Sequence, residues 1–184
     1  MFRVFQFLVI AGVLISTAPA FAQMKAVSLN YGINSIDLDG DGKAEHVIKS
    51  WRENFNAHGY HAYLYLEDRK SHQGQITSSI TVLAPEKGLH RDMARSSEGA
   101  DCTVTDYILI KKNDDQALEL LKTSRPTTNG YGGKHIVTFE FYKLTRNDEG
   151  IPGDPHRYWQ RYKTITSKQK YCDVHNAVKA ELLQ

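Results

Sequence analysis

The stretch Ile136-Val-Thr-Phe-Glu-Phe-Tyr-Lys-Leu144 decides the fold of this chain. It combines β-branched and aromatic residues without a glycine or proline, a composition that favours a β-strand. Turn-forming residues are concentrated in the two flanking segments, 125–133 and 146–155, which limit the strand at both ends. The sequence therefore predicts a long, well-defined strand here.

Segments of similar character occur on both sides of this strand. They lie at 25–37, 46–51, 60–66, 75–83, 104–111 and 156–165. The ten tyrosines and seven phenylalanines of the chain also suit strands better than helices. Because helices do not alternate regularly with these strands, we expect a mostly β (α+β) fold, with an antiparallel sheet or sandwich.

Two helices are predicted at the periphery of the sheet. Asp114 is placed to cap a short middle helix that ends near Lys122, and Asp173 is placed to cap a C-terminal helix. The inner stripe of the C-terminal helix is predicted to be Val174, Ala177, Val178 and Leu182. The segment 84–101 shows no clear period, so we expect it to form a functional loop or to hold a short helix.

The N-terminus carries the pattern of a secretory signal peptide. Arg3 precedes an apolar run over 4–15, and a small-x-small exit follows at 20–22. The apolar run is shorter than a membrane span needs. We predict that residues 1–22 are removed and that residues 23–184 form a single domain, periplasmic or secreted. The alternative is a buried N-terminal helix.

Composition argues against two classes of partner. The chain has 23 basic and 21 acidic residues and a formal net charge of +2, so it lacks the charge excess of nucleic-acid-binding proteins. No second apolar stretch is long enough to cross a membrane. We therefore expect neither a nucleic-acid partner nor a membrane span, while the oligomeric state is not predicted.

The two cysteines, Cys102 and Cys172, are predicted to form a disulfide. In an oxidising compartment, a single intramolecular pairing is the expected state of two cysteines. The bridge would close a loop of roughly 70 residues and contribute about 4 kcal/mol in the chain-entropy model. The alternative is two separate thiols.

The segment Asp37-Leu-Asp-Gly-Asp-Gly-Lys-Ala-Glu45 resembles the start of a calcium-binding loop. Carboxylates alternate along it, and the glycine at its sixth position lets the chain turn so that they converge on one ion. The predicted Ca²⁺ ligands are Asp37, Asp39, Asp41, the Lys43 carbonyl and Glu45. Ile48 stands where an EF-hand has its last acidic ligand, so this is not a standard EF-hand. The alternative is a metal-free turn, because aspartate and glycine also dominate turns.

The sequence contains no complete catalytic constellation. Ser167 and Lys170 fit the Ser-x-x-Lys pattern of penicillin-recognising enzymes, but the accompanying Lys-Thr-Gly motif is missing. Nucleophile-elbow and phosphate-loop motifs are missing as well. We therefore predict that the protein is not an enzyme. The alternative is an enzyme that uses Asp37, Asp39 or Glu45 on a metal.

Two groups of residues resemble the CarG-like family of carbapenem intrinsic-resistance proteins. The first group comprises Gly32-Ile33-Asn34, the segment 37–42, Arg52, Asn54 and His58. The second comprises Tyr142, Pro152-Gly153, Tyr158-Trp159 and Tyr171-Cys172-Asp173-Val174. The resemblance covers most of the chain after residue 22, although 83–121 is not distinctive.

The resemblance implies a small, exported, β-rich protein that protects carbapenem-producing bacteria from their own antibiotic without being a β-lactamase. It implies action by binding, either to a β-lactam-like small molecule with a carboxylate or to an envelope protein. We expect Arg52, His58, Tyr158 and Trp159 to bind the ligand; the alternative for the aromatic residues is a tyrosine-rich core. The alternative function is an exported structural or interaction module with a calcium-binding loop.

Overall fold

The computed structural model describes residues 24–84, 88–112, 117–128 and 130–183. The predicted signal peptide lies outside these ranges. The described residues form twelve strands and one helix, which confirms the mostly β fold. They are β1 (Met24–Ala26), β2 (Gly32–Ile36), β3 (Glu45–Arg52), β4 (Tyr60–Ser71), β5 (Gly74–Ala84), β6 (Leu89–Arg91), β7 (Met93–Arg95), β8 (Ser97–Gly99), β9 (Cys102–Lys112), β10 (Glu119–Ser124), β11 (His135–Arg146), β12 (Arg157–Tyr171) and α1 (Val174–Glu181).

The strands form one curled sheet, whose two halves, β1-β9-β10-β11-β12 and β5-β4-β3-β2, meet where β12 pairs with β5. Its order is β1-β9-β10-β11-β12-β5-β4-β3-β2, and β6, β7 and β8 pair with β5, β4 and β9, respectively. Neighbouring strands are antiparallel except at one junction, where β12 runs parallel to β5 and Trp159 is the register partner of Val82. The sheet is therefore mixed at this junction, whereas the sequence predicted antiparallel pairing.

The single strand predicted over 25–37 is divided into β1 and β2, which lie at opposite ends of the sheet order. β1 pairs with β9, and β2 pairs with β3. Gly32 opens β2 with a φ of +91°, a conformation that glycine adopts without steric penalty. The chain thus changes direction at Gly32 and reaches the other end of the sheet.

The predicted middle helix is wrong in its described part, because Leu121 and Lys122 belong to β10, while its predicted cap, Asp114, lies outside the described residues. This strand pairs with β9 on one side and with β11 on the other. Leu120 and Leu121 are both fully buried, Leu120 between the two halves of the curled sheet and Leu121 on the side that α1 covers. A strand that is covered on both faces carries apolar residues next to each other. Apolar residues in this segment also recur at the three-residue spacing of a helix.

Two hydrophobic cores stabilise the sheet. The first lies between its two halves and consists of Leu38, Val47, Tyr63, Tyr65, Ile80, Val82, Ala94, Leu109, Leu118, Leu120, Tyr142 and Trp159. The second lies between the sheet and α1 and consists of Ile110, Leu121, Val137, Phe139, Phe141, Val174, Ala177, Val178 and Leu182. The predicted inner stripe of the C-terminal helix therefore covers one face of the sheet.

The start of α1 is fixed to the sheet by a cap and a disulfide, both as predicted. The Asp173 carboxylate accepts hydrogen bonds from the backbone N–H groups of His175 and Asn176, and from that of Thr103 in β9 at 2.9 Å. A disulfide joins Cys102, at the start of β9, to Cys172, just before the helix. Within the described residues, no helix has the length and apolar character to span a bilayer.

Candidate functional site

A cleft of about 680 Å³ opens between the two halves of the curled sheet. Three basic side chains line it, Arg91 from β6, Arg95 from β7 and Lys122 from β10. Its other polar and aromatic lining residues are Asn54, His58, Tyr60, Ser96, Ser97, Thr105, Tyr107 and Tyr142. Among the residues that the structure describes, no carboxylate lines this cleft.

The two arginines of the cleft reach it on short strands of the segment 84–101. Arg91 pairs in register with Val82 of β5, and Arg95 with Ala62 of β4. The segment was predicted to be a functional loop or a short helix, and its described part instead forms β6, β7 and β8. The Arg95 guanidinium lies 4.8 Å from the centre of the Tyr60 ring, a distance typical of a cation–π contact.

Lys122 is held inside the cleft by a buried carboxylate. Its Nζ donates to Glu140 Oε2 at 2.6 Å, and Arg161 donates to the other oxygen of the same carboxylate. Burial alone would raise the pKa of Glu140, but the hydrogen bonds from Lys122 and Arg161 outweigh it and lower the pKa. Glu140 is therefore ionised and is shared between two cations. In contrast, neither Arg91 nor Arg95 forms an ion pair with any described carboxylate.

Segment 37–45, which we call the Asp–Gly loop, brings three of its five predicted metal ligands together. One carboxylate oxygen each from Asp37, Asp39 and Glu45 lies within 4.8 Å of the others. Asp41 is not part of this group; its carboxylate accepts from the Lys43 backbone N–H at 2.8 Å and lies on the surface. Three of the four predicted carboxylate ligands therefore lie together, and we call them the three-carboxylate group.

The three-carboxylate group is already in contact with a buried cation, Arg157, at the start of β12. Its guanidinium donates to Asp39 Oδ2 and Glu45 Oε1, both at 2.7 Å, and to Glu67 Oε2 at 3.3 Å. We call these four residues the Arg157 cluster. Carboxylate oxygens are the ligands that calcium prefers, so the donor set suits Ca²⁺. An ion here would share Asp39 and Glu45 with the guanidinium.

The four residues predicted to bind a ligand are not gathered in one place. His58 lines the cleft, whereas Arg52 is exposed at the end of β3. Tyr158 is half-buried with its ring 5.0 Å from that of His90, and Trp159 is fully buried in the first core, against Tyr65. The aromatic residues therefore divide between the core and the surface, and only His58 of the four lines the cleft.

Sequence reasoning missed Arg91, Arg95 and Lys122 as cleft residues. The only local signal was the pair of arginines four residues apart in a segment without apolar periodicity. Nothing in the sequence connected this pair with Lys122, which was assigned to a helix. Their convergence depends on the pairing of β6, β7 and β10 with different partners.

The Ser-x-x-Lys pattern lies within the sheet. Ser167 is buried in β12, where its hydroxyl accepts from the Val137 backbone N–H at 2.9 Å and donates to the Gln169 carbonyl at 2.6 Å. The first hydrogen bond joins β12 to β11 at an irregularity in their register, and the second lies within β12. The hydroxyl thus has a structural role in strand pairing.

The family model for "Carbapenem resistance protein CarG-like" matches residues 29–180. The chain belongs to this CarG-like family. A crystal structure of CarG is similar in fold, with a TM-score of 0.70 at 20% sequence identity over 87% of this chain and 99% of that chain. No curated protein matches the sequence. The match to the CarG-like family confirms the resemblance, and it includes the Asp–Gly loop, the cleft and both cysteines.

Proposed function

We propose that this CarG-like protein is an exported, non-catalytic carbapenem resistance protein that binds a small carboxylate-bearing molecule in the cleft. The observation that carries the proposal is the lining, in which Arg91, Arg95 and Lys122 converge and no described carboxylate takes part. Guanidinium groups form charge-assisted, bidentate hydrogen bonds with carboxylates. Arg91 and Arg95 have no carboxylate partner among the described residues, and the carboxylate of a ligand would supply one.

Size and chemistry both suit a compact organic anion. The cleft volume of about 680 Å³ is within the range of small-molecule sites. The rings of Tyr60 and Tyr107 supply apolar faces for a ring system, while the basic residues fix the position of the acid. A carbapenem combines a small bicyclic ring system with one carboxylate, so it is the ligand that we propose.

Titration of a carbapenem into oxidised protein of residues 23–184 tests the proposal. We expect one-to-one binding by calorimetry and a melting temperature that rises by a few degrees at saturation. The double variant R91A/R95A should bind at least about 100-fold more weakly, since it loses two charge-assisted hydrogen bonds that each contribute about 1.5–3 kcal/mol. The control variant K70A/K170A removes two exposed cations elsewhere and should bind normally.

Two results would contradict the proposal. Hydrolysis of the antibiotic over multiple turnovers, measured by the loss of its ring absorbance, would show that the protein is an enzyme. Equal binding by wild type and R91A/R95A would place the ligand outside the cleft. Export is tested separately, because a reporter fused after residue 22 should reach the periplasm or medium.

A second candidate function is an exported structural or interaction module with a calcium-bound loop. The convergence of Asp37, Asp39 and Glu45 favours it. In this case Ca²⁺ would be held by the loop beside Arg157 of β12, and the protein would be stabilised by calcium but not by a carbapenem. Melting curves with Ca²⁺, with chelator and with the antibiotic separate the two functions.

A further inference from the structure

Loop 53–59 separates the cleft from a second groove of about 430 Å³. The loop contributes to both, because Asn54 and His58 line the cleft while Glu53 and Gly59 line the groove. The groove is acidic, with carboxylates from Glu53, Glu98 and Asp101. No arginine or lysine of the described residues lines it, so its charge is opposite to that of the cleft.

Exposed aromatic side chains lie beside this groove. Phe55 is 95% exposed at the tip of the loop, and Trp51 and Tyr31 are 41% and 64% exposed. The His61 ring lies between the last two, 4.9 Å from Trp51 and 5.9 Å from Tyr31. We call Tyr31, Trp51 and Phe55 the aromatic surface. Tryptophan and tyrosine are the residue types that most often anchor protein interfaces.

The chain holds this surface in a fixed position. Phe55 has a φ of +54°, which is unfavourable for a bulky side chain. Its backbone N–H donates to Glu53 Oε1 at 2.7 Å, and the Trp51 indole N–H donates to Glu53 Oε2 at 3.3 Å. These hydrogen bonds lower the pKa of Glu53 and keep it charged. Gly59 leaves room for the indole, since a Cβ there would lie 2.2 Å from the Trp51 ring.

Backbone strain is concentrated around the groove. Of the described non-glycine residues, Phe55, Ala100 and Asp101 have positive φ. Phe55 belongs to the loop on one side of the groove, and Ala100 and Asp101 form the tip of the β8–β9 hairpin on the other. Strain of this kind persists where the surrounding structure enforces it, and it is frequent at binding sites.

We infer that the aromatic surface docks a partner protein that presents an arginine or lysine side chain beside an apolar recess. The cation would enter the acidic groove and lie against the Trp51 ring, where cation–π and ionic attraction act together. Phe55 would fill the recess of the partner. This inference concerns a different surface from the carbapenem cleft and does not depend on it.

The test uses an arginine peptide, Ac-Ser-Leu-Arg-Leu-Ser-NH2, and its uncharged citrulline analogue. The chain has two tryptophans, and Trp159 is buried. Fluorinated tryptophan therefore gives one signal at the surface and one internal reference. We expect the arginine peptide to shift the Trp51 signal alone, and the citrulline peptide to bind at least about tenfold more weakly.

Matched variants separate the charges from the aromatic contact. The variant E98Q/D101N should weaken arginine-peptide binding about tenfold, whereas D148N/E149Q, which removes two exposed acids at a distant turn, should leave it unchanged. Phe55→Asn should weaken the peptide about fivefold but not N-acetylarginine amide, which is too small to reach Phe55. Circular dichroism verifies that each variant is folded.

Three outcomes would overturn the docking surface. They are equal binding of the arginine and citrulline peptides, movement of the Trp159 signal instead of the Trp51 signal, and an unchanged peptide affinity in Phe55→Asn. The last outcome would leave only a site for a free cation. The cleft variant R91A/R95A should bind the peptide normally, so failure here is distinguishable from failure of the carbapenem proposal.

Discussion

The Arg157 cluster and the mouth of the cleft both contain arginines, but only the cluster surrounds its arginine with carboxylates. Arg157 is 4% exposed and contacts Asp39, Glu45 and Glu67. Arg91 at the cleft is exposed and has no ion pair with a described carboxylate. A buried charge must be paired within the protein, whereas an exposed one remains available to a ligand. The comparison thus separates charges that are paired inside the protein from charges that remain available for binding.

The largest effect is expected at Arg157. Arg157→Met leaves Glu45 and Glu67 buried without their cation, so it should destabilise the protein by about 3–5 kcal/mol in urea unfolding. Arg146→Ala is the control, since Arg146 approaches the same Asp39 oxygen at 3.7 Å but is half-exposed; it should cost no more than about 1 kcal/mol. If both variants lost a similar amount of unfolding free energy, burial would not explain why Arg157 matters more than Arg146.

Calcium tests whether the three-carboxylate group, which shares Asp39 and Glu45 with the Arg157 cluster, also binds an ion. At a hundred times its dissociation constant, Ca²⁺ should add about 2.7 kcal/mol to the free energy of unfolding. Asp39→Asn should abolish this gain, whereas Asp41→Asn should retain it, because Asp41 lies outside the three-carboxylate group. Equal loss in both variants would restore the five-ligand site predicted from the sequence.

At Phe55 the unfavourable feature is the backbone conformation and not a charge, because its φ is +54°. Asparagine tolerates positive φ better than phenylalanine, and the exposed Phe55 ring has little packing to lose. Phe55→Asn should therefore raise the free energy of unfolding by about 0.5–1 kcal/mol, measured in urea. A loss of stability would mean that the ring packs on the loop and is not held outward for a partner.

The smallest effect concerns His175, a half-exposed cation on a buried acid. The hydrogen bond from its Nε2 to Asp106, at 2.7 Å, raises the pKa of His175. A raised pKa in the folded state stabilises the protein fully below the unfolded pKa of about 6.5, and this contribution is lost as pH rises through the folded value. Wild type and His175→Asn should thus differ most in stability near pH 5.5 and least near pH 8.5.

His61 acts in the opposite direction on the same pH scale. Burial lowers the pKa of His61, so its contribution is lost as pH falls. The charge of His175 is one of the causes that lower the pKa of His61, so the two histidines are not independent at low pH. A difference in unfolding free energy that grew with pH would contradict the assigned role of His175.

Local patterns were sufficient to predict most individual elements. Ile136–Leu144 lies within β11, and the Asp173 cap and inner stripe define α1 as expected. Predictions failed where two structures share one pattern. Leu118 and Leu121 have the spacing of a helix, yet Leu121 lies in β10, which pairs with β9 and β11. Local propensity cannot decide such a case, because the burial of both faces comes from distant strands.

The candidate sites also divide into features that the local sequence predicts and contacts that depend on the tertiary structure. The sequence by itself determined the Asp–Gly loop and the Cys102–Cys172 pair, because neighbouring carboxylates and a unique cysteine pairing are local or combinatorial facts. Only the tertiary structure decided that Arg157 lies against that loop and that Arg91 and Arg95 line one cleft with Lys122. These contacts depend on strand order and on the curl of the sheet, which bring together residues whose separation along the chain carries no periodic signal.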